Sequence, residues 1–154
     1  MKYHEDHFGN NLAFPFLLNI GSMIFAAEYG TEAEARAKKA IAYIKSDGKE
    51  KALAEFSNLK GKSVDRDLYI TVYDLNGKRL AHGANPKKIG KDLIGLHDPD
   101  GKAFVKERMG IAKTTDRFWQ DYKFTDPITK KIEPKSIYCG KLDDILVACR
   151  IYKK

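Results

Sequence analysis

Alternating apolar and polar residues mark five segments in the last two thirds of the chain, the pattern of half-buried β-strands. Asn76-Gly77 stands between the first two segments, and this dipeptide favours a two-residue type I′ hairpin turn. A second short turn is predicted near Leu142–Asp143. The predicted strands are Leu68–Asp74, Lys78–Gly83, Arg117–Phe124, Ile132–Cys139 and Ile145–Tyr152.

Apolar residues at helical spacing precede the strands and also separate the second strand from the third. Thr31 and Glu34 form a capping-box pattern that predicts the start of an alanine-rich helix. Ser46–Gly48 interrupts it, and Glu50–Phe56 adds a further helical stretch. Gly101–Lys113 is the helical insert. Helices followed by five strands predict an α+β fold with a five-stranded antiparallel sheet.

A two-residue turn at Asn76-Gly77 would divide the hairpin into two chemically different faces. It places Tyr73 opposite Leu80 and Thr71 opposite His82. The aliphatic face is expected to pack under the helical region 31–56, and the tyrosine–histidine face is expected either to line a pocket or to remain half exposed. The predicted faces are Tyr69, Thr71, Tyr73, Leu80 and His82 on one side, and Leu68, Ile70, Val72, Arg79 and Ala81 on the other.

Composition indicates one domain with a real core, since the chain has 154 residues and is 43% hydrophobic. The formal net charge is +7, but acidic residues interleave with the lysines, so a mixed solvated surface is favoured over a nucleic-acid interface. Cys139 and Cys149 fall on opposite faces of the sheet, so we expect two buried thiols without a disulfide. No spacing typical of a metal site, cofactor or catalytic triad occurs, and we predict a protein without enzymatic activity or cofactor.

The N-terminal region has the character of an export signal. Phe8–Ala27 contains no charged residue and ends in small residues, which predicts cleavage near Ala26-Ala27. It is short for a membrane span. Glu5 and Asp6 are unusual in a signal peptide, and an N-terminal core helix is the alternative. We therefore expect a leader over residues 1–27 and one domain over residues 28–154.

Two long stretches of the chain, residues 67–107 and 119–154, resemble the single Cache domain family of the second type. They read DLYITVYDLNGKRLAHGANPKKIGKDLIGLHDPDGKAFVKE and WQDYKFTDPITKKIEPKSIYCGKLDDILVACRIYKK. The helical region AIAYIKSDGKEKALAEFSNLKGKSVD is similar to the family as well. The resemblance implies a PAS-like antiparallel sheet with a long N-terminal helix along one face. It also implies an extracytoplasmic sensor domain, of a chemoreceptor or histidine kinase or free-standing in a bacterial periplasm, that binds small carboxylates.

Two departures from this family pattern affect the interpretation. The sequence ends at Lys154, two residues after the last predicted strand, so we expect signalling through a receptor or kinase partner. Cys149 stands where the family often has glycine, and a side chain there is expected to alter the sheet near the pocket.

A carboxylate in a partly dry pocket needs a cation and several hydrogen-bond donors. Lys135 is the predicted cation because it lies in the middle of a strand, and His82 is its predicted partner. Trp119 and Tyr122 lie on opposite faces of a regular strand, so both reach the pocket only if a bulge intervenes. The predicted ligand-binding residues are Tyr69, Thr71, Tyr73, His82, Trp119, Tyr122, Lys135 and Tyr138.

The functional hypothesis is a monomeric or weakly dimeric sensor domain for a short-chain carboxylate such as acetate, propionate, lactate or pyruvate. Under this hypothesis, His82→Ala weakens binding by about 1–3 kcal/mol and Lys135→Ala by at least as much. The alternative is a protein-interaction module that docks on a receptor and has no ligand of its own. Three of the predicted site residues could instead have a purely structural role. Trp119 and Tyr138 could be core residues, and Lys135 could be a solvated residue at the sheet edge.

Overall fold

The computed structural model describes residues 20–126 and 129–153, with side chains from Glu28 onward. All five predicted strands and the helical insert are present, and the last strand has the predicted bounds. The helices are α1 (Ile20–Asp47), α2 (Lys49–Phe56) and α3 (Phe104–Ala112), with a short 3₁₀ helix at Pro86–Lys88. The strands are β1 (Ile70–Asp74), β2 (Arg79–His82), β3 (Arg117–Thr125), β4 (Ile132–Leu142) and β5 (Ile145–Tyr152).

The five strands form one antiparallel sheet in the order β2-β1-β5-β4-β3. Helices α1 and α2 cover one face of this sheet, which we call the helix face. Its core contains Leu68, Ile70 and Val72, as predicted, together with alanines of α1 and Phe56 of α2. The alanines allow the α1 backbone to approach the sheet closely. The break between the helices falls at Gly48, which has φ 91°.

Helix α3 and part of the long connection between β2 and α3 cover the opposite face, which we call the pocket face. Tyr73, Phe104, Tyr122 and Ile137 belong to the core on this side. The two cysteines are free and buried, Cys139 on the pocket face and Cys149 on the helix face. Burial raises the pKa of both thiols to about 12, so neither is poised to react. The prediction of opposite faces is confirmed.

The β1–β2 hairpin differs from the prediction by one residue. Asp74 N–H donates to Lys78 O, and Gly77 N–H donates to Asp74 O. Of the two central residues only Gly77 has positive φ (92°), so the connection is a three-residue loop of the type I plus glycine-bulge kind. The two-residue type I′ prediction is wrong.

The extra loop residue is compensated within β2 by a β-bulge at Leu80. Thr71 pairs with His82 as predicted, but Tyr73 pairs with Arg79. Because a bulge places two residues of one strand opposite one residue of its partner, Leu80 packs into the helix-face core, and Arg79 is on the pocket face. The predicted faces of these two residues are therefore exchanged, and an arginine enters the pocket.

Helix α1 begins upstream of the predicted capping box. It runs without a break from Ile20, so Thr31 lies inside it and the capping prediction is wrong. The capping box is a local signal that does not require a helix to start where the residues upstream also accept helical geometry. Residues 1–19 lie outside the described residues, and export with cleavage near Ala26-Ala27 remains a prediction. Of the helices in the described residues, none is long and apolar enough to span a bilayer.

Gly83 is required by close packing between the hairpin and α2. A Cβ at this position would lie 2.6 Å from Tyr69 Cβ and 3.2 Å from Phe56 O. We expect Gly83→Ala to lower the free energy of unfolding by about 1–3 kcal/mol, the usual cost of overpacking. Gly95→Ala is the matched control, because a Cβ there has no neighbour within 4 Å among the described residues. Equal urea midpoints for the two variants would contradict this interpretation.

Candidate functional site

A cavity of about 190 Å³ opens on the pocket face of the sheet. This exceeds the roughly 150 Å³ cavity that holds benzene, and it is below the ~300–1,000 Å³ typical of drug-sized ligands. The cavity therefore suits a ligand of a few heavy atoms. Its described lining residues are Tyr69, Thr71, Tyr73, Arg79, His82, Lys88, Lys91, Leu93, Leu96, Phe104, Tyr122, Phe124, Ile137 and Arg150.

Five of the eight predicted ligand-binding residues line this cavity. The alternation along residues 69–73 and the Thr71–His82 pairing bring four of them together, and β3 adds Tyr122. The Thr71 hydroxyl is already engaged, since it donates to Ala81 O at 3.1 Å. The five are Tyr69, Thr71, Tyr73, His82 and Tyr122.

Trp119 and Tyr138 lie on the other side of the sheet, contrary to the prediction. They pair directly across β3 and β4, and their rings meet edge to face with centroids 5.4 Å apart. Tyr138 belongs to the helix-face core, and Trp119 is 39% exposed beside Gly30 of α1. The β3–β4 register is continuous, so the bulge that would bring Trp119 to the same face as Tyr122 is absent.

Lys135 lies on the pocket face but outside the cavity lining. Its residue is 1% exposed, and its Nζ has no hydrogen-bond partner among the described residues. The ammonium lies 4.6 Å from the ring centroid of Tyr152 and 5.1 Å from that of Phe124. Burial and the nearby charge of Arg150 lower the pKa of Lys135 to about 8. Its predicted direct contact with a ligand is therefore not supported by the geometry, although it adds positive charge beside the cavity.

Positive charge dominates the cavity. Four cationic side chains line it: Arg79, Lys88, Lys91 and Arg150. Among the lining residues that the structure describes, none is an aspartate or a glutamate. A buried cation without a carboxylate partner is costly, and an anionic ligand would remove that cost. The lining therefore favours an anion.

Arg150 is one of the two arginines that line the cavity, and the sequence interpretation missed it. Its guanidinium lies 4.8 Å from the ring centroid of Tyr69 and 5.3 Å from that of Tyr152, and its Nε is buried without a hydrogen-bond partner among the described residues. Burial opposes its charge, but the surrounding tyrosines outweigh burial and raise its pKa. The argument that selected Lys135, a basic residue in the middle of a strand, selects Arg150 equally well.

Cys149 stands where the family often has glycine, and its side chain was expected to alter the sheet near the pocket. The structure places this side chain elsewhere. Successive residues of a strand point to opposite faces, and Cys149 packs in the helix-face core. Its thiol therefore does not reach the cavity, and the following residue, Arg150, does.

His82 is held in one tautomer by the backbone of the loop that follows it. Ala84 N–H and Asn85 N–H both donate to His82 Nδ1, at 3.1 and 2.9 Å. Since Nδ1 accepts, the neutral ring carries its proton on Nε2. Burial, followed by the charges of Arg79 and Lys88, lowers the pKa of His82 to about 3. The imidazole is thus a neutral hydrogen-bond donor at Nε2.

The burial of His82 predicts that the fold loses stability in acid. The unfolded chain protonates His82 near its ordinary pKa of about 6.5, whereas the folded chain does so only near 3. Between these values the unfolded state binds more protons, so stability is full above about 6.5 and falls as the pH falls. We expect His82→Asn, whose Oδ1 can replace Nδ1 as acceptor, to reduce this loss, and His97→Asn at an exposed histidine to leave it unchanged. Urea unfolding from pH 7 to pH 4 measures both, and identical curves for the two variants would contradict the assignment.

A second arginine, Arg108 of α3, lies fully buried behind the cavity wall. Its Nε donates to Gln120 Oε1 at 2.9 Å, and its Nη1 donates to the Tyr73 hydroxyl at 3.1 Å. Arg79 also donates to the Tyr73 hydroxyl, at 3.0 Å. Burial alone would raise the pKa of Tyr73, but the charges of Arg79 and Arg108 outweigh it and lower the pKa to about 8.

Two curated relatives match about half of this chain. The methyl-accepting chemotaxis protein McpP of Pseudomonas putida is 34% identical over 74 residues, which are 48% of this chain and 14% of that protein. The sensor histidine kinase MctS of Rhizobium johnstonii is 32% identical over 78 residues, which are 51% of this chain and 17% of the kinase. The chain thus spans less than a fifth of the length of either relative.

Solved structures share the fold at low sequence identity. A methyl-accepting chemotaxis protein of Vibrio parahaemolyticus superposes with a TM-score of 0.68 at 22% identity, covering 86% of this chain and 94% of that one. A Cache chemosensory domain that recognises carboxylic acids gives 0.63 at 18% identity over 88% and 95% of the two chains. The family model of the single Cache domain 2 matches residues 27–145. This chain is a member of the single Cache domain 2 family.

Proposed function

We propose that this domain is an extracytoplasmic sensor that binds a short-chain carboxylate, of the acetate, propionate, lactate or pyruvate class, in the cavity on the pocket face. One observation carries the proposal: a cavity of about 190 Å³ whose described lining contains four cations and no acidic residue. Small carboxylates match both the volume and the charge. The carboxylic acid recognition by the Cache chemosensory domain of similar fold agrees with this ligand class.

Arg150 is the proposed principal contact for the carboxylate. Its planar guanidinium matches a carboxylate with two parallel hydrogen bonds, and its Nε is buried without a partner among the described residues. His82 would donate from Nε2 to the same ligand. The Tyr69 ring, whose centroid lies 4.8 Å from that of the His82 ring and 4.8 Å from the Arg150 guanidinium carbon, would form an apolar wall. Lys135 would act through its charge, with its ammonium 4.6 Å from the ring centroid of Tyr152.

A receptor or kinase partner would carry the signal, since the curated relatives are a chemotaxis protein and a sensor histidine kinase. The periplasm is the proposed location, in keeping with a structural neighbour that is a periplasmic sensor domain of a chemotaxis protein. A monomer or weak dimer is the proposed state in solution.

A thermal-shift series with matched neutral compounds tests the ligand class. Propionate at a hundredfold excess over its Kd should stabilise the fold by about 2.7 kcal/mol, because it binds only the native state. For a chain of this size, that corresponds to a rise in Tm of roughly 5–10 °C. Propionamide has nearly the same shape without the charge and should leave Tm unchanged. No shift with any C2–C4 acid would contradict the proposal and favour the interaction-module alternative.

The contribution of His82 is tested by calorimetric titration of the ligand found in that series. Loss of one hydrogen bond to a charged group predicts binding weaker by about 1–3 kcal/mol in His82→Asn. His97→Asn is the matched control at an exposed histidine. Unchanged affinity in His82→Asn would remove His82 from the contact set.

A further inference from the structure

A second cavity, of about 540 Å³, opens on the helix side of the molecule and shares no described lining residue with the cavity on the pocket face. Its volume lies within the ~300–1,000 Å³ typical of drug-sized ligands. Helix α1 forms one wall, and the end of α2 with the loop that follows it forms the other. Strand β1 closes the cavity from below with Ile70.

Ion pairs attach the loop 57–68 to α1 beside this cavity. Asp65 Oδ2 accepts from Arg36 Nη2 at 2.8 Å, and Glu32 Oε1 accepts from Arg66 Nη2 at 2.6 Å. Glu32 and Arg36 line the cavity, but the charges of this four-residue cluster balance one another. Arg36 Nε is buried and has no hydrogen-bond partner among the described residues. The cluster therefore shapes the cavity, and a net charge has to come from other lining residues.

Two aromatic rings form the apolar part of the wall. The rings of Tyr43 and Phe56 lie with their centroids 6.1 Å apart and their planes inclined by 59°. Ala40 and Ile70 are buried and continue this apolar surface. Because aromatic rings pack well in tilted and offset arrangements, the wall suits a ligand with an aromatic body.

Charges of both signs in the lining have no ion-pair partner among the described residues. They are the ammonium groups of Lys39 and Lys62 and the carboxylate of Glu55. Glu55 Oε1 accepts from the backbone N–H of Lys62 at 3.0 Å, which holds the carboxylate at the edge of the cavity. A ligand that carries both an ammonium and a carboxylate would give each of these charges a partner.

We propose that this cavity is a second ligand site, for a zwitterion with an aromatic body such as an aromatic amino acid. Glu55 would receive the ammonium, Lys39 and Lys62 would receive the carboxylate, and the aromatic body would pack on Tyr43 and Phe56. The site goes beyond the proposed function, because it lies on the opposite side of the sheet and takes a ligand of different charge.

Calorimetric titration with L-tryptophan and two analogues tests the ligand chemistry. Tryptamine lacks the carboxylate, and indole-3-propionate lacks the ammonium. Each analogue should bind about fivefold more weakly than tryptophan, which is the effect of losing one partly exposed ion pair. Equal affinity for the three compounds, or no binding of tryptophan up to its solubility limit, overturns the inference.

Ala35→Trp tests the location of the site. Ala35 lines the cavity and is exposed, so the indole would fill the cavity without entering the core. Ala42→Trp, at an exposed position of α1 outside the lining, is the matched control. Tryptophan binding should be lost only in Ala35→Trp, and propionate binding on the pocket face should be unchanged in both variants. Retained tryptophan binding in Ala35→Trp overturns the inference whether or not propionate binds.

Charge variants test the two ends of the ligand separately. Glu55→Gln keeps an acceptor for Lys62 N–H, and it should weaken tryptophan and tryptamine about fivefold without weakening indole-3-propionate. Lys39→Met combined with Lys62→Met should weaken tryptophan and indole-3-propionate and spare tryptamine. Lys45→Met combined with Lys60→Met, at exposed positions outside the lining, is the matched control. Losses that are equal for the three compounds overturn the inference.

Discussion

Arg150→Met should weaken propionate binding by about 10- to 150-fold while leaving the empty domain at least as stable as the wild type. Loss of a hydrogen-bonded charge pair with the ligand reduces the binding free energy by about 1.5–3 kcal/mol. Stability should not suffer in parallel, because a buried cation without an acid partner contributes little or opposes folding, and methionine fills similar volume. The contacts of Arg150 with Tyr69 and Tyr152 are ring contacts that a methionine sulfur can partly replace. Calorimetric titration and unliganded thermal melts measure the two effects.

Arg117→Met is the matched control for the loss of one positive charge. Arg117 is exposed on β3 and outside the cavity lining, so its replacement should leave affinity unchanged. Arg150→Lys should be intermediate, because lysine keeps the charge and loses the planar fork. Propionate affinity within twofold of wild type in Arg150→Met would show that this side chain does not hold the carboxylate.

Most of the fold was predictable because it depends on periodicity. Alternation identified every strand, and the aliphatic positions Leu68, Ile70 and Val72 indicated which face the helices cover. The bulge at Leu80 was not predictable, since Asn76-Gly77 is compatible with both a two-residue and a three-residue loop. The three-residue loop is held by the Asp74 side chain, whose Oδ1 accepts from Asn76 N–H and from Lys78 N–H, both at 2.9 Å.

Only the part of the cavity that the β1–β2 hairpin forms was predictable from the sequence. Thr71 and His82 are paired by a short turn, so their common face followed from the sequence. Trp119 and Tyr138 were misplaced because the β3–β4 register depends on a longer connection. Arg150 was missed because the turn predicted near Leu142–Asp143 pairs the fifth strand with the fourth and leaves its other neighbour undetermined. The pairing of β5 with β1 brings this side chain to the cavity.

Arg108 is buried on the apolar side of α3, together with Val105 and Met109. Its hydrogen-bond network carries the second large expected effect. Arg108→Ala should lower the free energy of unfolding by about 3 kcal/mol or more, since it opens a cavity and leaves the Gln120 oxygen without its donor. The guanidinium also packs against the rings of Phe104 and Tyr122, with carbon-to-centroid distances of 5.6 and 5.2 Å.

Arg108→Met separates the packing contribution from the hydrogen-bonding contribution of this network. Methionine refills most of the volume beside Phe104, so it should recover at least half of the stability that alanine loses. Arg117→Ala, at an exposed position of β3, should stay within about 0.5 kcal/mol of wild type. Urea unfolding followed by circular dichroism measures all three. If the alanine and methionine variants are equally unstable, the hydrogen bonds to Tyr73 and Gln120, rather than the filling of space, are what attach α3 to the sheet.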